Sequence, residues 1–122
     1  MRIRKFRDLV VWQNSMTLAR NVYALTAEFP RRETFGLGSQ LCRAAVSIPS
    51  NIAEGHGRLS DKAFAVFLGN ARGSLFELET QLEIAGSLNY IPSERLQSLL
   101  RDCEKITRML NALLAKLRKE NG

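Results

Sequence analysis

The sequence predicts an all-α fold: a single antiparallel, up-down-up-down four-helix bundle with a proline kink in its second helix. Three observations carry this. Apolar residues recur at 3–4 spacing through four long segments. Leu, Ala, Arg and Glu, all good helix formers, are frequent, and β-branched residues are sparse. Only 3 prolines and 8 glycines interrupt 122 residues. The apolar fraction of 45% is enough for a core, and the length fits one domain, residues 1–122. Helices are expected over about 8–27, 35–55, 60–89 and 93–119.

The first helix opens at Asp8, a plausible N-cap. It carries two apolar stripes: Leu9, Trp12, Met16, Ala19 and Tyr23 on one side, and Val11, Leu18, Val22, Leu25 and Phe29 on another. One stripe suffices for a helix in a monomeric bundle. Two suggest burial on two sides, as at a subunit interface, or else a wide core face on a central helix. Phe29-Pro30 ends the segment, because a residue before proline avoids the helical region. In the second helix, Leu37, Leu41, Ala44, Ala45, Ile48 and Ile52 form the apolar face. Pro49 lies inside it, where it removes a hydrogen bond and predicts a kink near Ala45 to Pro49. Neighbouring hydroxyls are placed to re-bond the freed carbonyls. Gly55 is well placed for a left-handed C-terminal cap.

Ser60 is a good N-cap for the third helix, with Asp61 in the first turn. Phe64, Phe67, Leu68, Ala71, Leu75, Leu78, Leu82 and Ala85 form its core stripe. Ala65, Gly69 and Gly73 fall four apart on another face. Each helical glycine costs roughly 1 kcal/mol relative to alanine, so tight packing of another helix is expected there, within or between subunits. The helix fades at Asn89-Tyr90-Ile91. The fourth helix starts near Pro92-Ser93, and Leu96, Leu99, Cys103, Ile106, Leu110, Leu113 and Leu117 step 3-4-3-4 along it. That is the seam of left-handed helix packing.

Short connections make neighbouring helices antiparallel. The two termini and the Gly55–Leu59 loop are then expected at one end. The formal net charge is +6. Residues 1–32 hold seven basic and two acidic side chains, residues 92–122 seven and four, and residues 33–91 four and six. The basic excess therefore belongs to the first and last helices. Arg2, Arg4, Lys5, Arg7, Lys116, Arg118 and Lys119 should gather at one end, with Arg58 and His56 beside them. Such a cluster suits nucleic-acid phosphates. The rival reading is a solvated, frayed pair of termini. No helix-turn-helix pattern, zinc-finger spacing or RNP aromatic pair is present, so base readout is not indicated.

The sequence offers no catalytic residues. His56, the single histidine, sits between glycines near Glu54, but no nucleophile in a recognisable elbow accompanies it. No metal site and no cofactor are expected: there is one His, two separated Cys and no Glu-x-x-His pair. Cys42 and Cys103 read as reduced, partly buried thiols of a cytoplasmic protein. No apolar run reaches membrane-spanning length, and no membrane partner is expected. Arg43, Ser47, Asn51 and Glu54 form a polar row beside the second helix's apolar face. They are placed to meet Arg72, Ser74 and Glu77 on the third. We read these seven as a structural hydrogen-bond network around the proline, in preference to a binding groove.

Two runs carry a resemblance: Gln40-Leu41-Cys42-Arg43-Ala44-Ala45-Val46-Ser47-Ile48-Pro49-Ser50-Asn51-Ile52-Ala53-Glu54-Gly55, and Ala71-Arg72-Gly73-Ser74-Leu75-Phe76-Glu77-Leu78-Glu79-Thr80-Gln81-Leu82-Glu83-Ile84-Ala85. With Phe6-Arg7-Asp8-Leu9-Val10-Val11-Trp12-Gln13 they resemble the 23S rRNA intervening sequence protein family, over roughly residues 6–118. The resemblance implies a four-helix bundle and a ring-shaped homopentamer, with no established biochemical role. Its related branch, the accessory proteins of diversity-generating retroelements, implies nucleic-acid and reverse-transcriptase binding through a basic surface. The signature residues Arg43, Ser47, Asn51, Glu54, Arg72, Ser74 and Glu77 are all present and support the fold. The leading expectation is a non-enzymatic homo-oligomer that binds RNA or DNA phosphates through its basic end. The alternative is a scaffold that docks a protein partner and has no nucleic-acid role. An enzyme acting through His56 and Glu54 is the third class.

Overall fold

The apolar stripes fold as four α-helices: α1 (Val10–Thr26), α2 (Leu37–His56), α3 (Asp61–Ser87) and α4 (Ser93–Asn121). The computed structural model describes residues 5–121, and among these no strand occurs. Two short 3-10 turns, Phe6–Asp8 and Arg31–Glu33, precede α1 and α2. α2 is continuous through the buried Pro49. In the turn of α2 around it, the Asn51 side-chain amide donates to the Ser47 carbonyl at 2.8 Å.

The four segments form one core. Leu41, Ala45, Ile48 and Ile52 of α2, Leu68, Ala71, Leu75, Leu78 and Leu82 of α3, and Leu99, Cys103, Ile106 and Leu110 of α4 are almost wholly buried. α1 contributes Val11, Leu18, Val22 and Leu25, the stripe expected at a second interface. Of the other stripe only Leu9 and Ala19 are buried. Trp12 and Met16 are half-buried, and Tyr23 is exposed. Spacing identified both stripes but could not rank them, because both have helical period; packing against α2 and α4 decides.

α2 and α3 make the most extensive helix pair. The Gln81 amide lies 3.5 Å from Gln40 Oε1, Ser47 Oγ is 2.8 Å from Ser74 Oγ, and Gly55 faces Phe67. Residue numbers rise along α2 as they fall along α3, so this pairing runs in opposite directions. The same order joins α3 to α4, where Arg72 meets Asn111 and Gly86 meets Leu96.

Several helix ends differ from expectation. Asp8 lies in the 3-10 turn, and Leu9, in extended conformation, occupies the cap of α1 without a side-chain bond. The Gln13 amide ties that turn down by donating to the Arg7 carbonyl at 2.8 Å. Gly55 is not a left-handed cap. α2 runs on to His56, its cap Gly57 has φ −77°, and no described glycine has positive φ. Gly55 is instead a contact point: a Cβ there would lie 2.5 Å from Phe67 Cβ and 3.0 Å from Phe64 Cδ1. The left-handed residue is Asn89, φ 64°, at the end of α3. Tyr90 N–H donates to the Ala85 carbonyl and Asn89 N–H to the Gly86 carbonyl, a Schellman closure in which asparagine replaces the usual glycine. Ser60 caps α3 as expected, its Oγ accepting from Ala63 N–H at 3.1 Å.

The end of the bundle that holds the 31–33 turn is closed by a polar latch. Tyr90 Oη donates to Glu33 Oε2 at 2.9 Å, and Glu33 Oε1 accepts from Leu37 N–H at 3.1 Å. The Leu37 N–H first, then the Tyr90 hydroxyl, hold the Glu33 carboxyl below its ordinary range; burial opposes them, and the Arg32 charge adds a lesser lowering. A carboxylate lowered on folding stabilises above its unfolded value and loses that contribution as the pH falls through the folded one.

Three expectations follow for stability and reactivity. Gly55→Ala should lower stability by about 1–3 kcal/mol in urea unfolding, because a methyl collides with Phe67. Leu110→Ala, at a site with 0% exposure, should cost about 2–5 kcal/mol in the same assay. Burial first, then Glu79, Asp102 and Glu104, push the Cys103 thiol up to about 12. It should therefore resist iodoacetamide at pH 8 in the folded protein and react once urea is added, as peptide mass mapping would show.

Candidate functional site

Four surfaces offer chemistry: a cationic end, a polar seam between α2 and α3, and two faces with apolar floors.

The cationic end is assembled by helix pairing. The Phe6–Asp8 turn packs beside the last half of α2: the Phe6 ring meets Trp12 edge-on at 5.3 Å, and both border a groove with Pro49 and Ala53. The last turns of α4 return to the first turns of α3, where Leu117 and Arg118 line one cleft with Asp61 and Lys62. Lys5, Arg7, Arg58, Lys116, Arg118 and Lys119 therefore share one end, and all six are exposed. Arg2 and Arg4 lie outside the described residues. Two of the six are held by neighbours. Arg7 stacks its guanidinium 4.7 Å from the Phe6 ring centroid. Arg58 donates to Glu54 Oε2 at 3.0 Å and covers the Phe67 ring at 4.7 Å. That ion pair is exposed and adds little stability, but it neutralises Arg58. Lys62 is a cation of this end that sequence reading missed. Its place beside Asp61 in the first turn of α3 was the available signal, obscured by reading that turn as acidic.

The expected seven-residue polar network divides. Its centre is Ser47, Asn51 and Ser74. The two hydroxyls meet at 2.8 Å, and the Asn51 amide donates to Ser47 Oγ at 2.9 Å. Arg72 leaves this group: its Nη1 donates to Asn111 Oδ1 on α4 at 2.8 Å. The reason is helical geometry. Residues 72 and 74 are about 200° apart around α3, so they cannot face the same neighbour. Glu54 bonds Arg58 one turn on. Arg43 and Glu77 border a shallow recess of about 360 Å³ with Gln40 and Ser47. Gln81, also missed, is buried beside them. Its amide nitrogen reaches toward Glu77 Oε2 at 3.4 Å, and its Oε1 has no hydrogen-bond partner.

His56 packs its ring edge-on against Phe64 at 5.8 Å, while the Glu54 carboxylate is engaged by Arg58. Cys42 and Cys103 are both free thiols, and Cys42 Sγ lies 3.3 Å from Thr26 Oγ1. Among the described residues no group of three His, Cys, Asp or Glu is placed to hold a metal ion, and no helix is long and apolar enough to cross a membrane.

The first apolar-floored face is the groove between α1 and α2, about 490 Å³, bordered by Trp12, Met16, Tyr23, Val46 and Pro49. The second is the outer side of α3 and its cleft with α4. Gly69 and Gly73 were expected to mark tight packing. Among the described residues they do not, since a Cβ at either position would meet none of their atoms within 4 Å. Val66, Phe76 and Ile84 stand exposed on the same helix. The cleft beside Gly69, about 770 Å³, has a floor of Ala65, Leu114 and Leu117 and edges of Lys62, Arg72, Asn111, Arg118 and Asp61.

Comparison with known proteins fits this architecture. No curated protein matches the chain significantly. A solved structure from Bacteroides thetaiotaomicron VPI-5482, described as a protein of unknown function from the S23 ribosomal protein family, is 25% identical. It superposes with a TM-score of 0.77 over 85% of this chain and 97% of its own. The sequence profile of the 23S rRNA-intervening sequence proteins matches residues 7–112, nearly the whole bundle from the first turn to α4. The chain belongs to the 23S rRNA-intervening sequence protein family.

Proposed function

We propose that this protein is a non-catalytic, self-associating bundle that binds nucleic-acid phosphates through its cationic end. The observation that carries the reading is the convergence of Lys5, Arg7, Lys62, Lys116, Arg118 and Lys119 at one end, from three segments distant in sequence. Long cationic side chains suit a phosphate backbone whose spacing varies, and they carry no base specificity.

Self-association is supported by apolar surface on two sides of the bundle, on α1 and on the outer side of α3. Trp12, Met16 and Tyr23 border a groove that none of the described residues fills, and Val66, Phe76 and Ile84 stand exposed on α3. These are different surfaces, so a contact between them would be head-to-tail, the kind that closes into rings. The same faces favour a second reading, a protein-docking scaffold without a nucleic-acid role.

Gel-shift titration with ribosomal RNA fragments, duplex DNA and single strands separates the two. About six phosphate contacts should cost about 10³-fold in affinity between 50 and 200 mM salt. Replacing Lys5, Arg7, Lys116 and Lys119 with glutamine should flatten that slope. Absence of binding at low salt would overturn the nucleic-acid reading in favour of the scaffold. Light scattering should return a multiple of the 13.7 kDa chain mass, and a single-chain mass would overturn self-association.

A further inference from the structure

The α3–α4 cleft differs from the rest of the cationic end in being an open concavity with a largely apolar lining. Its volume of about 770 Å³ falls in the range of small-ligand sites, roughly 300–1,000 Å³. α3 carries only two cations, Lys62 and Arg72, and both line this cleft. Arg118 joins them from α4, and Asp61 is the one acid at the edge. The other acids of α3, Glu77, Glu79 and Glu83, lie beyond Arg72 toward the opposite end of the helix. Among the described residues none of the three cations is in an ion pair. Arg72 is oriented in advance: one guanidinium N–H is spent on Asn111 Oδ1 at 2.8 Å, and the planar fork has four more donors. Opposite this cationic edge lies the aliphatic floor of Ala65, Leu114 and Leu117.

We propose that this cleft seats one nucleotide of a single-stranded nucleic acid, with its phosphate on Lys62, Arg72 and Arg118 and its base over the Leu114–Leu117 floor. The proposal rests on the nucleic-acid reading above and names the form of the ligand. Charge complementarity selects a phosphate. The floor selects an unstacked base, which a single strand offers and a duplex keeps inside its stack. No donor or acceptor row lines the floor, so the contact is tolerant of sequence.

Gly69 gives a direct test. It stands one turn from both Ala65 and Arg72 on this face, and a Cβ there meets nothing within 4 Å. Gly69→Leu therefore fits without collision, improves helix propensity and adds bulk beside Ala65 and Arg72, at the rim of the cleft. The full-length chain, Gly69→Leu and the double variant Lys62→Gln/Arg118→Gln would be titrated with fluorescent oligo(U) and with a duplex of equal length. Amide NMR shifts would be followed with uridine monophosphate and with uridine. We expect both variants to melt no lower than the parent and to keep its mass by light scattering. Each should bind oligo(U) about tenfold more weakly, Gly69→Leu through one lost base contact and the double variant through lost phosphate contacts, with duplex affinity within about twofold for Gly69→Leu. Uridine monophosphate, but not uridine, should shift the Gly69 and Gly73 amides of the parent.

Parental oligo(U) affinity in Gly69→Leu overturns the cleft proposal and leaves the cationic end standing. A change of oligomer mass in that variant overturns it in favour of a second copy seated on this face. If the parent binds no polymer, the nucleic-acid reading fails by itself. The nucleotide titration then decides the cleft: shifted glycine amides support a phosphate site, and unshifted ones overturn it.

Discussion

The close approach of α2 and α3 is the constraint on which the rest of the molecule depends. At Gly55 the two helices come near enough that a single methyl would collide with Phe67. From that point the pairing runs through the Ser47–Ser74 hydroxyl contact to Gln40 and Gln81. This contact sets which face of α3 looks inward. With Ser74 turned toward α2, Arg72 must turn toward α4, where it finds Asn111. The cationic edge of the α3–α4 cleft is thus a consequence of register between two other helices. A slip of one residue would carry the arginine away from α4.

The two ends of the bundle are built differently. One is closed by Tyr90, Glu33 and the Leu37 N–H, with Phe29 packed against the Tyr90 ring at 5.4 Å. Its polar groups are spent on one another. The other collects cations from both ends of the chain and from the start of α3, and only Arg58 there is ion-paired among the described residues. Between them, α3 and α4 bring acidic residues together. Partial burial first, and then the charges of Glu104 and Glu83, raise the Glu79 carboxyl above its ordinary range. Cations thus collect at one end of the molecule, and acidic groups of α3 and α4 meet one another away from it.

Much of this was legible in the residues. The α4 seam was read nearly position by position, because a 3–4 repeat admits one buried face. The Ser60 cap was legible because a short hydroxyl before an acidic first turn has one local use. The basic end was legible because short connections leave few ways to arrange four helices. Other features were not. Gly55 looks like a helix terminator to any local rule, and only the neighbouring Phe67 shows that it is a contact. Gly69 and Gly73 carry the same residue type with the opposite meaning, open space, which no spacing distinguishes. Lys62 belonged to the cationic end by position but was hidden behind Asp61 and Ser60.

The sequence by itself determined the fold class, the four helices and the family, since each rests on local periodicity or on contiguous motifs. Tertiary structure decided which of two apolar stripes on α1 faces the core, where Arg72 points, and which glycines are crowded. Those are differences of rotation and separation between helices. A helix of period 3.6 presents several equivalent faces to a reader of one chain, and only the atoms packed against it select among them.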